Sequence, residues 1–303
     1  MNAPTIANLP GVRRNVRLAP LTTYQIGGPA DWFLAVQSAT ELEAAIDAAR
    51  ADNVPYFVLG TGANIIVSDQ GIRGLVIHNQ ASRTVFHGNE LTAESGATIE
   101  SLIRLTRDRS LSGLEHFAGI PSSVGGAMRQ NLHFLNPERT GTYYIASIVK
   151  AATVLNQAGE RQTVDQKYFR FGYDDSILHH QMVIVLDVTF QLTSSTPTAI
   201  DHQIHENLAW RNAKQPQLSE YASCGSVFKK IEGAGAGRLI DQAGLKGYIY
   251  GHVQVSPKHA NYLVNLGGAT ATEVMELIRH IQTTVKEKTG HQLEPEVGIV
   301  GEW

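Results

Sequence analysis

A strand-like run that ends at Gly60-x-Gly62 and resumes as a strand a few residues later limits what this chain can fold into. The stretch is LGTGANIIVSDQG, residues 59–71. Glycines permit tight turns of positive φ and let a ligand approach backbone N–H groups directly. No third glycine opens a helix after them, so this is not a dinucleotide-binding fingerprint. It reads either as a glycine turn between strands or as a backbone surface for phosphate. GIPSSVGGAM, residues 119–128, has the same character: Pro121 fixes one φ and Gly125-Gly126 frees the backbone. It reads either as a loop or as a second backbone surface against a flat or phosphorylated cofactor.

The pattern around these segments is a mixture of strands and helices in three regions, 21–80, 81–195 and 200–303, after a flexible lead-in at 1–20. In the first, ADWFLAVQ (30–37) alternates as a strand. SATELEAAIDAARADN (38–53) carries Thr40 as N-cap and Leu42, Ala45, Ile46 and Ala49 at helical spacing. VPYFVLG and NIIVSDQGIRGLVIHN add short strands. In the second, TIESLIRLTRDRS (98–110) is a helix, 119–146 is a long loop, and 146–156, 160–165 and 182–192 are strand-like. TSSTPTAID (193–201) reads as a linker. The third region holds helices at 204–215, 235–245 and 270–290 and strands at 250–256 and 261–266. No internal repeat or low-complexity tract occurs.

The 303 residues carry a formal net charge of -3, which does not favour a nucleic-acid partner. One cysteine excludes an internal disulfide and fits a reducing cytoplasm. The N-terminus has no apolar core of signal-peptide length, and no run approaches the ~20 apolar residues of a membrane span. A soluble, cytoplasmic protein without membrane insertion is expected, as a monomer.

Three further segments carry polar chemistry. YASCGSVFKK (221–230) sets Ser226 between Gly225 and Val227: an ordinary turn, an anion-binding loop or a catalytic serine. Cys224 shares a face with Ser226 on an extended run, as a packed residue or as a proton donor. YFRFGYDDSILHH (168–180) ends in His179 and His180, which on a strand point to opposite faces and cannot easily chelate one ion, so no metal is expected. LEPEVGIVGEW (293–303) places Glu294 and Glu296 on one face, as a polar terminal edge or as part of one site.

Taken in order, these segments resemble the UDP-N-acetylenolpyruvoylglucosamine reductase (MurB) family of cell-wall precursor synthesis. The matching residues are TTYQIGGPADWF, LGTGANIIVSDQGIRGLVI, GLEHFAGIPSSVGGAM, FGYDDSIL, SCGSVFKK, AGRLIDQAGLKG, VSPKHANYLVNLGGATATEV and LEPEV, from about residue 20 to the end. The resemblance, closest to the shorter type II form, implies an α+β fold. Two subdomains, as in flavoproteins of the vanillyl-alcohol-oxidase superfamily (the PCMH type), grip non-covalent FAD, and a C-terminal α/β domain closes over a UDP-sugar substrate. It implies that Leu59, Gly60, Thr61, Gly62, Ala63 and Asn64 cradle the pyrophosphate. Ile120, Pro121, Ser122, Ser123, Gly125 and Gly126 then line the flavin's other side. NADPH reduces FAD, hydride goes to carbon 3 of the enolpyruvyl group, Ser226 protonates carbon 2, and Glu296 stabilises the enol. Tyr173 and Lys229 are expected to contact substrate.

The chain departs from the family at one functional position. The arginine that usually follows the tyrosine of FGY, and binds the substrate carboxylate, is Asp174 here. Like charges ~4 Å apart repel by about 1 kcal/mol in water and several at low dielectric. Arg129 and Arg170 are candidate replacement cations. Residues 129–144 are longer and richer in aromatic and basic residues than the family's NAGAYG-like stretch, though Asn131 is kept, and Lys230 stands where the family has asparagine. The alternatives are a same-fold reductase for another enol or sugar nucleotide, and a noncatalytic UDP-sugar-binding protein.

Overall fold

The computed structural model describes residues 5–231 and 233–303. The chain forms two compact units: residues 1–12, 34–61 and 76–210, and residues 13–33, 62–75 and 211–303.

The first unit is built on an antiparallel five-stranded sheet. Its strand order is Arg161–Asp165, Val149–Leu155, Ile184–Gln191, Glu90–Glu94, Thr84–His87. Register is held on the polar face as well as in the core, since the Thr92 and Thr189 hydroxyls meet at 2.8 Å across directly opposed positions. Helix Ile99–Arg107 buries Ile99, Leu102, Ile103 and Thr106 at helical spacing, and the Thr98 side chain caps it. Helix Ala39–Ala51 is capped by Ser38 rather than Thr40: the Ser38 hydroxyl accepts the Glu41 N–H at 3.2 Å.

The expected long loop at 119–146 contains regular structure. Ser123 caps a short helix, Val124–Gln130, and Asn131 ends it in the left-handed region at φ 46°. A hairpin follows, His133–Leu135 against Thr142–Tyr144. The Gly-Gly pair disfavours a helix by propensity, but Val124, Ala127 and Met128 are fully buried, and packing overrides it. The expected linker is likewise partly helical. Helix Pro197–Lys214 starts inside it, with proline at its first position. Residues 5–20 of the expected flexible lead-in carry regular structure, and its first four lie outside the described residues. Ile6 is buried, and its N–H donates to the Asp52 carboxylate at 2.7 Å.

The second unit pairs strand Arg13–Arg17 with the start of Pro29–Val36, and pairs Gly298–Val300 in parallel with Ile65–Val67. Its three-stranded sheet runs Ile249–Tyr250, Val253–Val255, Leu263–Asn265. Helix Ala271–Thr289 packs Val274, Leu277, Ile278, Ile281 and Val285 into the core. A capping box of Thr270 and Glu273 starts it, and Asp69 accepts the Ala271 and Thr272 N–H groups at 2.8 and 2.9 Å. Gly290 ends it at φ 76°.

Candidate active site

In the first unit, the turn at residues 59–61 lies on the segment 120–126. A Cβ at Gly60 would fall 2.4 Å from the Ser123 hydroxyl oxygen, so any larger residue must displace something here. The Thr61 hydroxyl donates to the Pro121 carbonyl at 3.3 Å, and the Ser123 hydroxyl accepts the Gly126 N–H at 3.2 Å. Gly60 and Thr61 therefore meet Pro121 and Ser123, with Gly126 joined through the Ser123 hydroxyl; Ile120, Ser122 and Gly125 are their chain neighbours, and Leu59 is buried at 3% exposure. Such a meeting of backbone and small side chains suits a flat cofactor, which larger side chains would hold away. In the second unit Gly62 adopts φ 62°, where a Cβ would meet the Leu21 carbonyl at 2.5 Å. Its carbonyl accepts the Thr23 N–H at 3.2 Å, and the carbonyl of Asn64, after Ala63, accepts the Gly298 N–H at 3.0 Å.

The first unit also shows what surrounds Asp174. This residue is left-handed at φ 50°, a conformation that aspartate tolerates better than most residues. Its carboxylate lies 3.6 Å from His133 Nδ1. The His133 ring stands between Tyr144 and Tyr173, with centroids at 5.3 and 4.9 Å. Tyr144 is directly opposite His133 in the hairpin, so the altered segment 129–144 delivers this imidazole. Asn131 ties the same region together, donating to the Gly172 carbonyl at 2.8 Å and accepting the Ala146 N–H at 3.3 Å. The side chain that the altered segment brings beside Asp174 is the imidazole of His133, a residue the sequence reading missed. Arg129 instead donates to the Leu178 carbonyl, and Arg170 is exposed in a left-handed position. His180 pairs with Asp175 at 2.9 Å.

In the second unit Ser226 is seated between two chain segments. On one side Ser226 bridges Tyr262, and Val227 N–H donates to the Asn261 carbonyl at 2.9 Å. On the other, Phe228 bridges Pro295, with Lys229 N–H to the Glu294 carbonyl and Glu296 N–H to the Val227 carbonyl, both 2.9 Å. The buried Asn261 side chain holds both backbone groups of Phe228, at 3.0 and 2.9 Å. Ser226 and Glu296 are half-buried. Lys229 is exposed and sits 3.5 Å from Glu294. Cys224 is buried at 2% exposure. Burial, with the charge of Glu296 adding to it, pushes its thiol up to about 12, so it is no ready proton donor. Tyr262 and Arg211 complete this cluster, and neither carried a signal in the sequence. Among the described residues no group of three or more His, Cys, Asp or Glu side chains is placed to hold a metal, and no helix is long and apolar enough to cross a membrane.

Comparison with known proteins matches both parts of this picture. A family described as "UDP-N-acetylenolpyruvoylglucosamine reductase, C-terminal domain" matches residues 215–300, and one described as "FAD binding domain" matches residues 30–165. The chain is 40% identical over 292 residues to UDP-N-acetylenolpyruvoylglucosamine reductase of Listeria monocytogenes, covering 96% of this chain and 95% of that one. It is 42% identical to the protein of that name from Levilactobacillus brevis, covering 96% and 93%. The crystal structure of the Thermus caldophilus reductase superposes with a TM-score of 0.79 at 32% identity, covering 95% of this chain and 99% of that one.

Proposed function

Because the chain belongs to the UDP-N-acetylenolpyruvoylglucosamine reductase family and is an FAD-dependent oxidoreductase, we propose that it reduces UDP-N-acetylglucosamine enolpyruvate to UDP-N-acetylmuramate at the expense of NADPH, in the cytoplasm, as a step of peptidoglycan precursor synthesis. FAD, when bound, supplies the hydride that adds to carbon 3 of the enolpyruvyl group. Residues 59–64 and 120–126 hold it through backbone groups, which the close approach at Gly60 and the positive φ of Gly62 support. The Ser226 hydroxyl gives its proton to carbon 2, and Glu296 accepts a hydrogen bond from the enol while carbon 2 is still unprotonated.

The observation that carries this reading is the seat of Ser226. Backbone bridges hold Ser226 against Tyr262 and Phe228 against Pro295, and Glu296 comes from the second of those segments, which supports a fixed position for the serine. A serine whose backbone is bridged in this way is preorganised as a free surface turn is not. The test is anaerobic NADPH oxidation by the flavin-loaded protein. Oxidation that depends on the enolpyruvyl compound is expected. Oxidation of NADPH that ignores that compound refutes the substrate.

One observation favours a second reading, a same-fold reductase for a different anionic enol. Asp174 puts an anion where the family has a cation, and an imidazole, that of His133, lies 3.6 Å from it. Under this reading NADPH reduces the flavin normally and the standard substrate reoxidises it slowly.

A further inference from the structure

Ser226 has a neighbour that the resemblance does not supply. Ser226 and Tyr262 stand directly opposite in an antiparallel bridge, beside the bond from Val227 N–H to the Asn261 carbonyl. Directly opposite residues project to the same face, with Cβ atoms about 4.5–5.5 Å apart. The Tyr262 phenol therefore shares a face with the Ser226 hydroxyl. Tyr262 is 6% exposed, with its ring edge-on to His259 at 5.0 Å. Burial raises its phenol pKa, against the pull of Arg211 and Ser226, so the group is a protonated donor at neutral pH. Arg211, in the last turn of helix Pro197–Lys214, and Glu296 are within electrostatic range of the same phenol.

A serine hydroxyl is a weak acid and needs assistance to protonate carbon. We propose that Tyr262 positions Ser226 and relays a proton to it, an inference that rests on Ser226 being the donor. The step balances. As the Ser226 O–H bond breaks and its proton bonds to carbon 2, the Tyr262 O–H bond breaks and its proton bonds to the serine oxygen. The phenolate that remains is stabilised by the guanidinium of Arg211 and takes a proton from water. A phenol is ordinarily a far stronger acid than an aliphatic hydroxyl, and the charge of Arg211 offsets part of the rise that burial imposes, so the relay backs a weak acid with a stronger one.

The test follows the two half-reactions of the FAD-loaded full chain separately by stopped flow. Tyr262→Phe keeps the ring and removes the hydroxyl. Reoxidation by the enolpyruvyl substrate is expected to slow by about tenfold or more, about 1.4 kcal/mol, with substrate affinity and the rate of flavin reduction by NADPH changed by less than about twofold. In a Ser226→Cys background, whose thiol is itself acidic, Tyr262→Phe is expected to have almost no effect. Equal slowing in both backgrounds, equal slowing of both half-reactions, or no slowing overturns the relay. Ser226→Ala distinguishes the two claims. An undiminished rate refutes Ser226 as donor and the relay with it. A slow Ser226→Ala beside an unaffected Tyr262→Phe refutes the relay alone. A measurement independent of any substrate uses tyrosine labelled with carbon-13 at Cζ. The Tyr262 resonance, identified by its loss in Tyr262→Phe, is expected to move in Ser226→Ala, and an unmoved resonance overturns the pairing even if no substrate is turned over.

Discussion

Gly60→Ala tests the packing on which the proposed cofactor surface depends. The new methyl carbon would lie 2.4 Å from the Ser123 hydroxyl oxygen and 3.3 Å from Ser123 Cβ. Something must yield by roughly half an ångström or more, and interiors have little slack. Two responses are open. The Ser123 hydroxyl can swing away, which forfeits its bond from the Gly126 N–H and with it the cap of helix Val124–Gln130. Losing such a cap costs about 1 kcal/mol. Alternatively the turn at 59–61 shifts, and overpacking of this kind costs about 1–3 kcal/mol. Either way Gly60→Ala destabilises the flavin-free protein by about 1–3 kcal/mol, and Ser123→Ala alone by about 1 kcal/mol. The double variant has no hydroxyl to clash with, so its cost is expected to stay near that of Ser123→Ala, about 1 kcal/mol, rather than to reach the sum of the single costs. Urea unfolding of the four proteins gives the cycle, and the flavin-to-protein absorbance ratio shows whether FAD retention follows the same order. Costs that add within about 0.5 kcal/mol refute the contact as the reason for glycine at this position.

Asn261→Leu removes the acceptor and donor that serve the Phe228 N–H and carbonyl, and two buried backbone groups left unpaired cost about 1–3 kcal/mol each; chemical denaturation measures the loss, and turnover is expected to fall with it because Ser226 is two residues away. Burial holds the His259 imidazole below its ordinary value of 6.5, and its Nδ1 accepts the Asn261 N–H at 3.2 Å. The unfolded chain therefore binds more protons than the folded one, so this contribution to stability is complete above about pH 6.5 and is lost as pH falls below it; His259→Gln is expected to flatten the fall in unfolding midpoint between pH 7.5 and 5.5, and an unchanged slope refutes the assignment. His133→Phe keeps a ring between Tyr144 and Tyr173 but removes the imidazole nitrogens beside Asp174. It is expected to raise KM for the anionic substrate by about fivefold, the equivalent of about 1 kcal/mol, with kcat little changed, and an unchanged KM excludes His133 from substrate binding.

What was legible in the sequence closes over a few residues. The capping box of Thr270 and Glu273 spans three positions, and the buried face of helix Ala271–Thr289 repeats every three or four. Helix Ile99–Arg107, read as 98–110, was visible for the same reason. The reading failed where tertiary packing outweighed local preference. Gly125-Gly126 argues against a helix, but the buried Val124, Ala127 and Met128 and the Ser123 cap make one. Ser38 and Thr40 are both good caps by type, and only the bond from the Glu41 N–H decides between them.

The candidate site belongs to the second class throughout. His133 reaches Asp174 only because a hairpin at 133–144 brings it there, and the glycine-rich stretch before it was read as irregular. Ser226 was singled out from its own segment, yet its surroundings come from Asn261–Tyr262 on one flank and residues 294–296 on the other, more than thirty residues away in each case. The pairing register carries chemical meaning. A slip of one residue would turn Tyr262 to the opposite face and set Asn261 or Leu263 against Ser226 instead. Asn261 prevents that slip, because its buried side chain grips both backbone groups of Phe228 and fixes which residue faces the serine. The proposed donor, its phenol neighbour and the residue that aligns them therefore act as one unit. This predicts that Asn261→Leu weakens the effect of Tyr262→Phe on turnover, because a misregistered Tyr262 has no serine to assist.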